Sequence, residues 1–219
     1  MSHPVAFVVA RFREDLAWLT GSAAAAAGIV YDKSGDAAPL VLEWVPVPNA
    51  GRESETWLRY IIAHYDDLPD VVCFLQGNPF EHVHDGPLFS RLLSGEHSPA
   101  ATAPLCCDLH VESNGVHVCH DDYYSHLFAG PPPASYAFAA GAQYSVTRAD
   151  LLARPVSFYR LLQRMLSPST VTSNAAKIPF AAGVIDPWTL ERMWPFIFST
   201  EPPLSEWARD AMQEPSLDG

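Results

Sequence analysis

Basic residues are scarce in this chain. Thirteen lysines and arginines stand against 25 aspartates and glutamates, for a net charge of −12. Phosphate backbones need a basic face, so the expectation is no nucleic-acid partner. The same ground argues against an anionic membrane surface. Long apolar runs are missing as well, and none reaches the roughly 20 residues of a membrane-spanning helix. The first residues, Met1 to Val5, lack the charged and apolar regions of a signal peptide. Cysteine is rare: Cys73, Cys106, Cys107 and Cys119 are the only four, with no C-x-x-C spacing. They read as reduced thiols in a cytoplasmic protein.

What is present describes a folded chain. Hydrophobic residues make up 48% and charged residues 17% of 219 positions, enough for a sizeable core in one domain. That domain is expected over residues 1–200, with a proline-rich acidic tail over 201–219. The 20 prolines imply long ordered loops and argue against a helix bundle.

The stretch from Asn49 to His82 organises the rest. Asn49-Ala50-Gly51 is a turn signal. Apolar residues at Trp57, Leu58, Ile61, Ile62 and Tyr65 predict a helix over 52–65. Glu53 and Glu55 fall in its first turn, where carboxylates complement the helix dipole. Pro69 stops it. Val71 to Leu75 is continuously apolar and reads as a strand covered on both faces, as in a parallel sheet. Gln76-Gly77-Asn78-Pro79 ends that strand, with His82 and His84 beyond. Ligands in α/β proteins sit past such strand ends.

Earlier strands are expected over 5–10, 29–31 and 40–45. The first ends in Arg11-Phe12-Arg13-Glu14-Asp15 and the second in Asp32-Lys33. Charged residues between a strand and a helix suit a phosphate-bearing ligand or a solvated turn. The series of strands and helices predicts an α/β fold: one domain with a mixed, mostly parallel sheet flanked by helices. Asn114-Gly115 between alternating segments predicts a β-hairpin insertion over 107–120. Its polar face would carry His110, Glu112, His117 and Cys119, either as metal ligands or as a solvated surface. His82, His84 and Asp85 are a second candidate metal cluster. A strand is expected over 136–146, interrupted at Gly141-Ala142-Gln143 by a bulge or a close approach. Thr147 with Asp150 opens a helix, Ser157 caps the next, and residues 167–183 form a loop that could close as a lid. Asp186-Pro187 starts a last helix. Glu191 lies among its aromatics, where a carboxylate can gain proton affinity and serve as acid or base, or pair with Arg192 or Arg52.

Five blocks, "VVARFREDLAWL", "VYDKSG", residues 48–82, "AAGAQYSVTRADLLARP" and "LERMWPFIF", together resemble a family of unknown function. More coarsely, the pattern resembles glycosyltransferases of the GT-A fold. That resemblance implies a nucleotide held at Arg11, Glu14 and Asp15, with Asp32 and Lys33 at the second strand end. It implies Glu191 as the base, and a divalent metal with the diphosphate at an Asp-x-Asp motif. Here Gln76-Gly77-Asn78 stands in that place, and neutral amides bind hard cations poorly.

The first functional expectation is therefore a glycosyltransferase-like enzyme acting on a small molecule, with a sugar nucleotide as donor. Arg11, Lys33 and Arg52 would neutralise phosphate, Gln76, Asn78 and Gln143 would bind hydroxyls, and Glu191 would take the acceptor proton. Glu53 and His82 complete the expected site. The alternatives are a metal-dependent tailoring enzyme working without nucleotide, and a non-enzymatic binding module.

Overall fold

The structure is a computed structural model that describes residues 5–36, 42–82, 86–105, 109–113, 118–166 and 184–213. The first parallel strands are β1 (Val5–Arg11), β2 (Gly28–Asp32), β3 (Glu43–Pro46) and β4 (Val71–Gln76). Two further strands, β5 (Ala103–Pro104) and β8 (Tyr144–Thr147), complete a mixed sheet in the order β3-β2-β1-β4-β8-β5. β8 runs antiparallel to both β4 and β5.

Alternation along the strands divides the core into two layers. On one face Ala6, Val8 and Ala10 of β1 join Val72 and Phe74 of β4. They pack on α2 (Arg52–Ala63), α6 (Val156–Met165) and α7 (Pro187–Ile197). On the other face Phe7 and Val9 join Cys73 and Leu75 against α1 (Ala17–Thr20), a 3-10 turn at Ala23–Ala27, and α3 (Gly86–Leu93). Cys73 is inert there, its thiol pushed up to about 12 by burial. Trp57, Phe74 and Trp194 are fully buried, each contributing about 2–3 kcal/mol by leaving water. Among the described residues no helix is long and apolar enough to cross a membrane.

Several local signals fold as their chemistry requires. The Thr147 side chain accepts the Asp150 backbone N–H at the start of α5 (Arg148–Leu152). Asp186 accepts from the N–H groups of Trp188 and Thr189, each at 3.0 Å, with Pro187 at the first helical position.

Three expectations are corrected. Among the described residues the strand pairing expected for a hairpin around Asn114-Gly115, which itself lies outside them, is not found. β6 (Leu109–Ser113) pairs antiparallel with β7 (Ser135–Ala139), in register from Leu109↔Ala139 to Ser113↔Ser135. The segment expected as its partner strand is α4 (Val118–Leu127). Tyr123, Tyr124, Leu127 and Phe128 recur at helical spacing and are buried, and that apolar face outweighs the short alternation before it. The face of His110, Glu112, His117 and Cys119 is thus not assembled by strand pairing, and His117 lies outside the described residues. The strand expected over 136–146 is two strands in two sheets. Gly141 (φ 75°) and Ala142 (φ 52°) turn the chain between β7 and β8. Ser157 lies inside α6, whose N-cap is Pro155. The expected lid at 167–183 lies outside the described residues, as do His84 and Asp85. Beyond Glu201, α8 (Glu206–Ala211) buries Ala208, and Arg154 donates to the carbonyls of Phe196 and Pro202.

Candidate active site

The chain leaves β1 toward β2 and β3 on one side and returns to β4 on the other. Helical connections therefore diverge between β1 and β4, and a crevice opens beyond their C-terminal ends. A cavity of about 590 Å³ lies there. Its wall is built from Ala10 and Arg11 at the end of β1, Phe12 and Glu14 after it, and Lys33 after β2. Asn49, Arg52 and Glu53 enter from the start of α2, Gln76 ends β4, and Asn78 and Glu81 follow it.

Two of its cations are held in ion pairs of 3.0 Å or less. The parallel register sets Arg11 beside Asp32. Arg11 Nη1 donates to Asp32 at 2.6 Å and to Ser34 Oγ at 2.9 Å, and Nη2 donates to Asp36 at 3.0 Å. Burial alone would lower the Arg11 pKa, but Asp32 and Asp36 outweigh it and the net shift is upward. Burial likewise opposes the Asp32 charge, and hydrogen bonds from Ser34 and Arg11 outweigh it and hold that pKa down. Lys33 donates to Ala50 O at 2.7 Å and to Glu55 at 3.0 Å. Its pKa is lowered by burial, against the opposing pull of Glu55. Arg52 is placed differently, with its guanidinium 4.4 Å over the Trp188 ring and Nε 3.5 Å from Glu53.

The carboxylates beside Arg52 are the unusual part. Glu53 is 8% exposed and its pKa is raised by burial, with Arg52 opposing. Glu191 is 5% exposed and is pushed up to about 7, first by burial and next by the charge of Glu53. One donor works the other way: the Gly141 N–H gives a 2.5 Å hydrogen bond to Glu191 Oε1. Gly141 is also a point of close approach. A Cβ there would lie 2.7 Å from the His82 ring and 3.0 Å from Gln76 Oε1. The glycine expected to admit a ligand is therefore approached by the protein's own side chains.

Seven expected residues share the wall: Arg11, Glu14, Lys33, Arg52, Glu53, Gln76 and Asn78. Asp15 is not on it. Its carboxylate accepts the Ala17 N–H at 2.9 Å and steadies the turn into α1. Asp32 is buried beneath Arg11. Gln143 is fully buried and its side chain is committed to the backbone: Oε1 accepts from Gln76 N at 3.2 Å and Nε2 donates to Pro79 O at 3.1 Å. It pins the end of β4 and the following loop, and its place is behind the wall. His82 and Glu191 also stand behind it, gathered at Gly141. Glu81, Asn49 and Phe12 are wall residues that the sequence reading missed. Only for Glu81 was there a signal, its position just past the loop that ends β4.

The side chains present do not fit a divalent cation held by an Asp-x-Asp motif. Asn78 donates its amide to Glu81 at 3.1 Å, and among the described residues no three His, Cys, Asp or Glu side chains converge.

No curated protein and no solved structure matches the chain. Residues 7–92 match the model of a family described as a protein of unknown function, DUF3431. That stretch runs from β1 through most of α3 and includes every wall residue of the cavity, while Gly141 and Glu191 lie outside it. The chain is thus similar over residues 7–92 to this family of unknown function.

Proposed function

We propose that the protein is a glycosyltransferase-like enzyme that moves a group from a nucleotide-activated donor to a small-molecule acceptor. The observation that carries this reading is a cavity at the β1–β4 switch point with cations on its wall and a buried carboxylate pair beside them. The donor's diphosphate lies against Arg52, and Lys33 adds its charge from the wall while it stays bound to Glu55. An acceptor hydroxyl oxygen attacks the donor carbon, the bond from that carbon to the diphosphate oxygen breaks, and the nucleoside diphosphate leaves. The hydroxyl proton passes to the carboxylate pair. A carboxyl group with proton affinity near neutrality is suited to that transfer. Gln76 and Asn78 bind hydroxyls of donor or acceptor. The GT-A resemblance supports this reading through the polar ends of the first two strands, and no step is assigned to a metal.

Thermal unfolding with a panel of nucleoside diphosphates and sugar nucleotides tests it, with and without manganese or zinc. A ligand at 100 times its dissociation constant adds about 2.7 kcal/mol, and the midpoint rises by several degrees. One responding nucleotide names the donor class. No response to any nucleotide at millimolar concentration overturns the reading, and a response to metal alone favours a metal-dependent enzyme working without nucleotide.

A further inference from the structure

We propose that within the buried pair Glu53 is the catalytic residue, which meets the ligand and takes its proton, and that Glu191 is a positioning residue acting through it. The assignment rests on the transferase-type reading of the cavity. Glu53 is part of the cavity wall, projecting from the first turn of α2, and Glu191 is not. Glu191 belongs to α7, and one of its oxygens is committed to the Gly141 N–H at 2.5 Å. The turn presenting that N–H is fixed in turn, because Trp57 Nε1 donates to Ala142 O at 3.2 Å and Gly141 lies against Gln76 and His82.

The surrounding charges favour the same division. Glu53 faces Arg52 and Lys33, which support an ionised carboxylate. Burial, and next the charge of Glu53, raises the proton affinity of Glu191, with Arg192 and Arg52 opposing. Arg52 bridges the two places: its Nε is 3.5 Å from Glu53 and its guanidinium lies 4.4 Å over Trp188, one turn before Glu191 on α7. Two buried carboxylates that share one cation, Arg52, hold one proton more readily than none. A proton on Glu191 leaves Glu53 ionised, facing the ligand and able to accept. When Glu53 takes the acceptor proton its charge disappears, and the repulsion that held the proton on Glu191 is relieved.

Carboxyl carbon-13 NMR of the full chain tests the pair without any turnover. Glu53→Gln and Glu191→Gln assign the two resonances. Removing the neighbouring charge in Glu53→Gln lowers the Glu191 midpoint by at least half a pH unit, and an unchanged midpoint overturns the pairing. A soluble neutral gadolinium chelate broadens the Glu53 resonance more than that of Glu191, and the reverse order overturns the assignment. With a donor in hand, Glu53→Gln lowers kcat by about 100-fold or more. Glu191→Gln retains measurable kcat with KM unchanged and moves the acid limb of the pH–kcat profile. Greater loss from Glu191→Gln overturns the ranking. If no nucleotide binds, the transferase reading fails, and the two NMR readouts still decide which carboxylate faces the cavity.

Discussion

Two buried ionic groups begin from the same turn of α2, and they differ in kind. Glu55 joins opposite charges: Lys33 lies 3.0 Å from one oxygen, and Arg59 binds the other through Nη2 at 2.5 Å and Nε at 2.7 Å. Glu53, two residues earlier, has Arg52 Nε at 3.5 Å, and its charge adds to burial in raising the proton affinity of a second carboxyl group, Glu191. Residues two apart point to different sides of a helix, so one turn serves both. The first group is satisfied and ties the end of β2 to α2. The second is only partly compensated, since burial outweighs Arg52 and raises both pKa values, which is the usual condition of groups that exchange protons. The difference separates what holds the cavity from what can act in it.

The largest expected effect breaks the first group. Lys33→Met removes the ammonium from Glu55 and leaves Ala50 O without its donor. Breaking a buried pair costs about 3–5 kcal/mol. Arg59 still holds Glu55, which places the loss near about 3 kcal/mol in urea unfolding. A loss below about 1 kcal/mol would show that this group is no more structural than the other.

The opposite outcome is expected at the second group. Glu191 has its folded pKa raised from 4.5 to about 7. The folded state therefore holds the proton more tightly than the unfolded state. Its contribution to stability is fully present below pH about 4.5 and is lost as pH rises through about 7. At 1.36 kcal/mol per unit the loss reaches about 3 kcal/mol. Glu191→Gln should match the parent at pH 4 and exceed its stability by up to about 3 kcal/mol at pH 8. A constant difference between the two across that range would deny the raised proton affinity.

A smaller effect sharpens the geometry. Gly141→Ala places a Cβ at φ 75° and 2.7 Å from the His82 ring. The left-handed backbone alone costs about 1–2 kcal/mol, and displacing the ring adds to it. His82→Ala in the same chain should recover the part due to the ring and leave the backbone part and the contact with Gln76, as read by thermal unfolding. No recovery would mean that His82 does not press on this turn.

The same contrast governs what the sequence made legible. β1, β4 and the start of α7 were readable because their signals are local: alternating or continuous apolar residues, and Asp186 before Pro187. The strand ends also pointed to the place where the cavity lies. The pairing of β6 with β7 was not readable, since Leu109 finds Ala139 thirty residues away and nothing local records such a partner. Arg11 read as a free phosphate ligand because Asp32 becomes its neighbour only through parallel register. Gln143 read as a ligand because its commitment to Gln76 N and Pro79 O exists only in three dimensions. Burial against distant groups decides whether a polar side chain is spent on the fold or left for chemistry.

Asp15 supplies the smallest and most discriminating test of that rule. Its residue type and position, just past β1, are those of a ligand contact, yet it is exposed and its carboxylate accepts the Ala17 N–H at 2.9 Å. A carboxylate serving a helix start contributes about 0.5–2 kcal/mol. Water competes at an exposed position and α1 spans only four residues, so Asp15→Ala should cost no more than about 0.5–1 kcal/mol. Its effect on the affinity for any nucleotide that stabilises the protein should be nil, whereas Arg52→Met, on the cavity wall, should weaken that affinity about tenfold or more, the 1.4 kcal/mol of one charge-assisted hydrogen bond. Calorimetric titration of both variants compares them directly. Equal losses would place Asp15 in the ligand's reach and move the boundary of the site outward along the loop after β1.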